Sequence, residues 1–127
     1  MADSQHSLAD RTIDALAVGR IAAGLLAWIS PSRTAQVFGM SPGDQSAYPW
    51  RLFGVRDVVI GIGTLRSSGA QRRAFVTAGL ACDAGDGAAG AVAMSRGDFT
   101  RSTAGAPVTV PVLAVVVGAW ALRGLVR

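Results

Sequence analysis

The sequence predicts an all-α fold, a single integral membrane domain over residues 1–127 whose four helices cross the bilayer with both termini in the cytoplasm. Three observations predict it. Half of the residues are apolar and only 16% are charged, where soluble domains carry about 25%. Mean hydropathy is +0.39. The apolar residues gather into four segments, at about 13–29, 50–66, 74–95 and 107–126, each bounded by polar, Gly- or Pro-containing stretches.

The first span has Asp10 or Thr12 as an N-cap and stops at Ser30-Pro31. The residues before it, His6 included, read as a polar leader. They lack the basic opening of a signal peptide, so the first helix is expected to remain as an anchor. The long connection to the second span contains Val37-Phe38-Gly39-Met40, an expected interfacial turn, with Tyr48 and Trp50 at the membrane surface. The second span is followed by RSSGAQRR, a polar break, and the third ends at SRGD. The fourth follows Pro107 and carries Pro111 in its first turn, where proline is tolerated. At 1.5 Å per residue the segments reach about 24 to 32 Å, against a bilayer core of about 30 Å. The second span is the weakest by length. Trp28, Trp50 and Trp120 fall near span ends and fit an aromatic belt.

Orientation follows from arginine. Arg11, Arg66, Arg72, Arg73, Arg123 and Arg127 share the side of the termini; Arg33, Arg96, Arg101 and the borderline Arg51 face the other. This bias favours cytoplasmic termini and a multi-pass protein of the inner (plasma) membrane. Every charged base is arginine and every acid is aspartate, a usage that with the abundant Ala, Gly and Val suggests a GC-rich bacterial genome.

The net charge of +4 invites a nucleic-acid reading. The arginines are scattered and no basic patch is interleaved with aromatics, so nucleic acid is rejected. The single cysteine, Cys82, excludes an internal disulfide, and no Cys/His cluster has zinc spacing. No metal and no cofactor are expected. "GIGTLR" is not a phosphate loop, because it follows no strand and Arg66 replaces its third glycine.

The informative residues are charges in the middle of apolar segments. Arg20 lies near the midpoint of the first, Arg56 and Asp57 near that of the second, and Asp83 and Asp86 bracket that of the third. Each costs about 2.5 to 3.5 kcal/mol at a helix centre, or about 12 to 17 kcal/mol for the five unpartnered. That rivals a whole domain's stability, so the five must converge. Two positive and three negative charges leave one acid over, and a surplus carboxylate in low dielectric is expected to hold its proton unless Arg51 reaches it from the membrane edge.

Their helical faces agree. Gly79, Asp83, Asp86 and Gly90 share a stripe; Ala17, Ala23, Gly24 and Ala27 flank Arg20; Gly54, Gly61 and Thr64 share the stripe of Asp57. Small residues beside a charge let membrane helices approach closely. The fourth span has no mid-span charge and reads as a lipid-facing or scaffold helix.

These residues support a structural or partner subunit, held together by an intramembrane network of Arg20, Arg56, Asp57, Asp83 and Asp86, in a homo-oligomer or beside a partner membrane protein. The alternative is a small membrane enzyme acting on an apolar isoprenoid or lipid. There Asp83, Asp86 or Asp57 would be the general acid and Arg20, Arg56 and Arg51 would orient substrate. It requires a cavity beside Asp83 and Asp86. A proton-coupled transporter has the least support, because no inverted repeat is visible.

Asp83-x-x-Asp86-Gly87 matches the opening of the CDP-alcohol phosphotransferase signature, but Gly90-Ala91 stands where alanine-arginine should follow and the later aspartates are missing. "RLFGVRDVVIGIGTL" (51–65) and "ACDAGDGAAGAVA" (81–93) resemble a group of small four-helix bacterial membrane proteins in the DoxX-like neighbourhood. The resemblance implies a four-helix membrane fold over about residues 13–125, and carries no catalytic assignment.

Overall fold

A computed structural model describes residues 2–38, 47–98 and 105–125. Among them are five α-helices and no strand: α1 (Ala2–Ile29), α2 (Pro31–Val37), α3 (Ala47–Arg66), α4 (Gly69–Arg96) and α5 (Ala106–Leu125). Two of these helices are long and apolar enough by themselves to cross a membrane, Ser7–Ile29 within α1 and Ala106–Leu125. The expected second and third spans are helical as well. They fall short in hydropathy because α3 and α4 carry the charged and glycine-rich stripes.

Several boundaries differ from the sequence reading, each for a physical reason. The polar leader is helical, so α1 begins eleven residues before the expected start at Ile13. Neither Asp10 nor Thr12 caps it; the Thr12 hydroxyl donates to the Leu8 carbonyl inside the helix at 2.8 Å. The break RSSGAQRR shrinks to Ser67-Ser68, with Gly69 at φ 53 opening α4. The expected turn at 37–40 becomes the end of α2, with Phe38 as its C-cap; Gly39 and Met40 lie outside the described residues. The α4 terminus at SRGD is as expected: Gly97 adopts φ 78, and the Gly97 and Asp98 amides donate to Met94 and Ala93. Pro111 stands beyond the first turn, because α5 starts at Ala106 and Pro107 takes the early position.

The four long helices run alternately up and down. α1 packs most extensively on α3, α4 on α5, and α5 back on α1; the α3–α4 seam is the least extensive of the four. Small residues set the spacing. A methyl group at Gly24 would lie 2.6 Å from the Gly54 carbonyl oxygen, and one at Gly54 would lie 2.5 Å from that of Gly24. Thus α1 and α3 touch backbone to backbone at this crossing. Where α4 meets α5, Gly90 faces the Pro107 carbonyl. The α-helical donor to that carbonyl would be the amide of residue 111, and proline has none. Near the α3–α4 joint the Phe75 ring covers Gly63.

The core is thin. Ile13, Val76 and Ala121 form its buried apolar cluster, with Leu80, Leu122 and Leu125 against it. Large apolar side chains instead populate the outside: Val18, Leu25, Val55, Val59, Val116 and Trp120 among them are at least 46% exposed.

Candidate functional site

The charged residues occupy the middle of this ring. Arg20 projects from α1 against Gly79 of α4, where a methyl group would come within 3.0 Å of its guanidinium. One terminal nitrogen donates to Asp57 Oδ1 of α3 at 3.3 Å, and the other to Asp83 Oδ2 of α4. Arg56 makes a forked pair with Asp86, Nη1 to Oδ1 at 3.2 Å and Nη2 to Oδ2 at 2.6 Å. It also reaches Asp57 Oδ1 at 3.4 Å. Its guanidinium stacks 5.1 Å from the Phe53 ring centroid.

Three aspartates therefore share two arginines, and Asp57 is the shared member. Asp57 and Asp83 are buried at 4% and 8% exposure, so the pairs work away from bulk water. Arg20 spans the ring diagonally, while Arg56–Asp86 bridges the weak α3–α4 seam. The third arginine of the sequence reading behaves differently. Arg51 is exposed and takes no part in the network. It lies six residues before Asp57, which at 100° per residue places it on another face of α3.

A cleft of about 690 Å³ runs along the ring beside these groups. Asp57, Asp83, Asp86 and Arg20 form its charged waist. Apolar side chains line it to either side, including Ile13 and Phe75 toward the α3–α4 joint and Phe38 and Trp50 toward α2. Arg56 contributes nothing to the lining. Among the described residues no three His, Cys, Asp or Glu side chains are grouped to hold a metal ion.

Two features escaped the sequence reading. Trp50, expected in an outer aromatic belt, is buried at 9% exposure. It meets Phe38 at 5.6 Å and Phe53 at 6.1 Å between ring centroids, and Phe38 lies 6.4 Å from Phe53. The spacing Trp50, Phe53, Asp57 did mark one face of α3, but the ring supplied by α2 had no local signal. Trp28 and Trp120 remain outside, at 49% and 52% exposure. The second feature is Arg72, which donates to Asp14 at 2.9 Å and to the carbonyls of Thr64 and Asp10. It ties the start of α4 to α1 and α3. Asp10 and Asp14, four residues apart, would have signalled a common face had the leader been read as helix.

Comparison of the chain with protein-family models, with curated proteins and with solved structures returned no match.

Proposed function

We propose that the chain is a four-helix transmembrane bundle of a bacterial plasma membrane, with both termini cytoplasmic, that holds an apolar small molecule in the cleft along its axis. The observation that carries this reading is the inversion of its side chains: charged groups meet inside around an open cleft, and large apolar groups face outward. Of the two most apolar helical stretches, only 22% and 17% is buried against the rest of the chain. A core helix of a water-soluble protein would bury most of such a surface, whereas lipid solvates it directly. On this reading α3 and α4 also span. Their charges are paired inside the ring, and α3 turns Leu52, Val55, Val59, Ile62 and Leu65 outward. Kinship with the DoxX-like proteins belongs to the same reading, because the two motifs that suggest it supply Arg56, Asp57, Asp83 and Asp86.

The cleft favours a binding protein over a mere scaffold. Its volume lies within the about 300 to 1,000 Å³ usual for small-molecule sites, and its mostly apolar wall with few polar groups is also usual. Two experiments test the proposal. Membranes containing the protein are washed at alkaline pH; release into the supernatant overturns the membrane reading. Purified protein is then compared with Ala114→Phe, which fills the cleft from α5, for binding of a hydrophobic fluorophore. Binding abolished by Ala114→Phe with melting unchanged is expected, and equal binding by both proteins overturns the cleft as the site.

A second reading, an assembly subunit, is favoured by the outer face of α4. There Ala78, Ala81, Gly85 and Ala88 are exposed in one stripe, a surface suited to another membrane helix.

A further inference from the structure

Charge is distributed unevenly across the wall of the cleft. Arg20 is the only basic side chain among the described lining residues, against Asp57, Asp83 and Asp86 at the waist and Asp98 beyond the end of α4. Arg56, which offsets Asp86, stands outside the lining. Both arginines converge on Asp57 Oδ1. Within the described residues no hydrogen bond reaches Asp57 Oδ2 or Asp83 Oδ1. The waist thus presents more carboxylate than guanidinium to whatever enters, in surroundings that screen poorly. Toward α2 the same cleft is lined by Phe38, Trp50 and Phe53, whose ring faces attract cations.

We propose that the cleft binds a lipophilic organic cation, an ammonium or phosphonium centre carried on an apolar body, with the charge at the Asp57–Asp83–Asp86 waist. This rests on the cleft being a binding site and adds the charge of the occupant. The apolar body replaces the missing core packing, and the cationic centre neutralises the surplus acid that two arginines leave. An anion would meet three carboxylates, and a neutral molecule would leave the surplus unpaired.

The test uses the full chain in neutral lipid nanodiscs and three probes of near-identical shape: tetraphenylphosphonium, tetraphenylmethane and tetraphenylborate. Partition into empty nanodiscs is measured and subtracted for each. The cation is expected to bind at least tenfold more tightly than the neutral or anionic probe. Asp83→Asn is expected to weaken the cation about tenfold and the neutral probe less than twofold. The wild-type comparison needs no variant to fold. Where Asp83→Asn does not fold, Asp98→Asn, outside the ion-pair network, provides a milder loss of cation binding. Equal binding of cation and neutral probe overturns the proposal while leaving the cleft a site for apolar molecules; this is the result if the surplus carboxyl is neutralised by a proton. A preference for borate overturns it likewise. Absence of binding by all three probes overturns the binding reading itself and this proposal with it.

Discussion

Arg20 and Asp83 form an ion pair across the diagonal of the helix ring, between two helices whose backbones make almost no contact. The pair is possible because Gly79, one turn before Asp83, leaves room for the guanidinium against the α4 backbone. With its second nitrogen on Asp57, Arg20 ties α1, α3 and α4 at one point. It is the structural centre of the molecule.

Removing that centre leaves Asp83 without its arginine and Asp57 with Arg56 alone at 3.4 Å, and both carboxylates are less than a tenth exposed. Arg20→Met is expected to lose about 3 to 5 kcal/mol, the usual result of breaking a buried pair from one side. Adding Asp57→Asn and Asp83→Asn to Arg20→Met is expected to restore part of this, because no charge is then left unpaired. Thermal melting in detergent measures both. A wild-type melting temperature for Arg20→Met alone would show that the pair contributes nothing to stability.

The crossing of α1 and α3 makes a steric prediction. At Gly54 an added methyl group meets the Gly24 carbonyl oxygen at 2.5 Å and the Trp28 amide nitrogen at 3.2 Å, all backbone that cannot rotate away. Gly54→Ala is expected to push the helices apart and lose about 1 to 3 kcal/mol. Gly19 and Gly85 meet nothing within 4 Å. Alanine there is expected to be neutral or to add up to about 1 kcal/mol through helix propensity. Equal melting temperatures for Gly54→Ala and Gly19→Ala would contradict the backbone contact.

What was legible in the sequence was the convergence of charges, and the reason is energetic. Five unpaired charges in apolar segments would have exceeded a domain's stability, so their meeting could be argued without coordinates. The glycines beside Asp57 and Asp83 marked the close-packed faces for the same reason. Arg72 was illegible because its partners lie about sixty residues away, Asp10 in the polar leader and Asp14 at the very start of the first span. Trp50 was misplaced because the Phe38 ring that helps bury it comes from α2, where local patterning says nothing about tertiary contacts. The cleft was required by only one of the alternatives weighed; its volume depends on how the four long helices that line it sit together, which no residue pattern encodes.

Arg72 and Asp14 differ in exposure, and their substitutions should differ accordingly. The Arg72 side chain is 15% exposed and holds two backbone carbonyls besides its acids, whereas that of Asp14 is 51% exposed. Arg72→Met is expected to lose about 1 to 3 kcal/mol, since it removes a charged donor from Asp14 and from the Thr64 and Asp10 carbonyls. Asp14→Asn is expected to lose less than about 1 kcal/mol, as a half-exposed pair does. The smaller loss should also fade in high salt, which screens exposed charge first. Melting curves across a salt series separate the two, and a larger loss for Asp14→Asn would reverse the assignment.

The contact between Gly90 and Pro107 couples two helices through a missing hydrogen bond. Pro111 lacks the amide that would hold the Pro107 carbonyl inside α5, and that oxygen would stand 2.7 Å from a methyl group at Gly90. Gly90→Ala is therefore expected to lose about 1 to 3 kcal/mol. Pro111→Ala restores the donor and draws the carbonyl into the helix's own ladder, away from α4, while keeping the Cβ that faces Gly87. Its separate effect should be small, but in its presence Gly90→Ala should cost less. A double-mutant cycle on melting free energies is expected to give a favourable coupling of about 0.5 kcal/mol or more. Strict additivity would mean that the carbonyl stays against α4 whether or not residue 111 can bond it, and the crossing would then be fixed by side-chain packing alone.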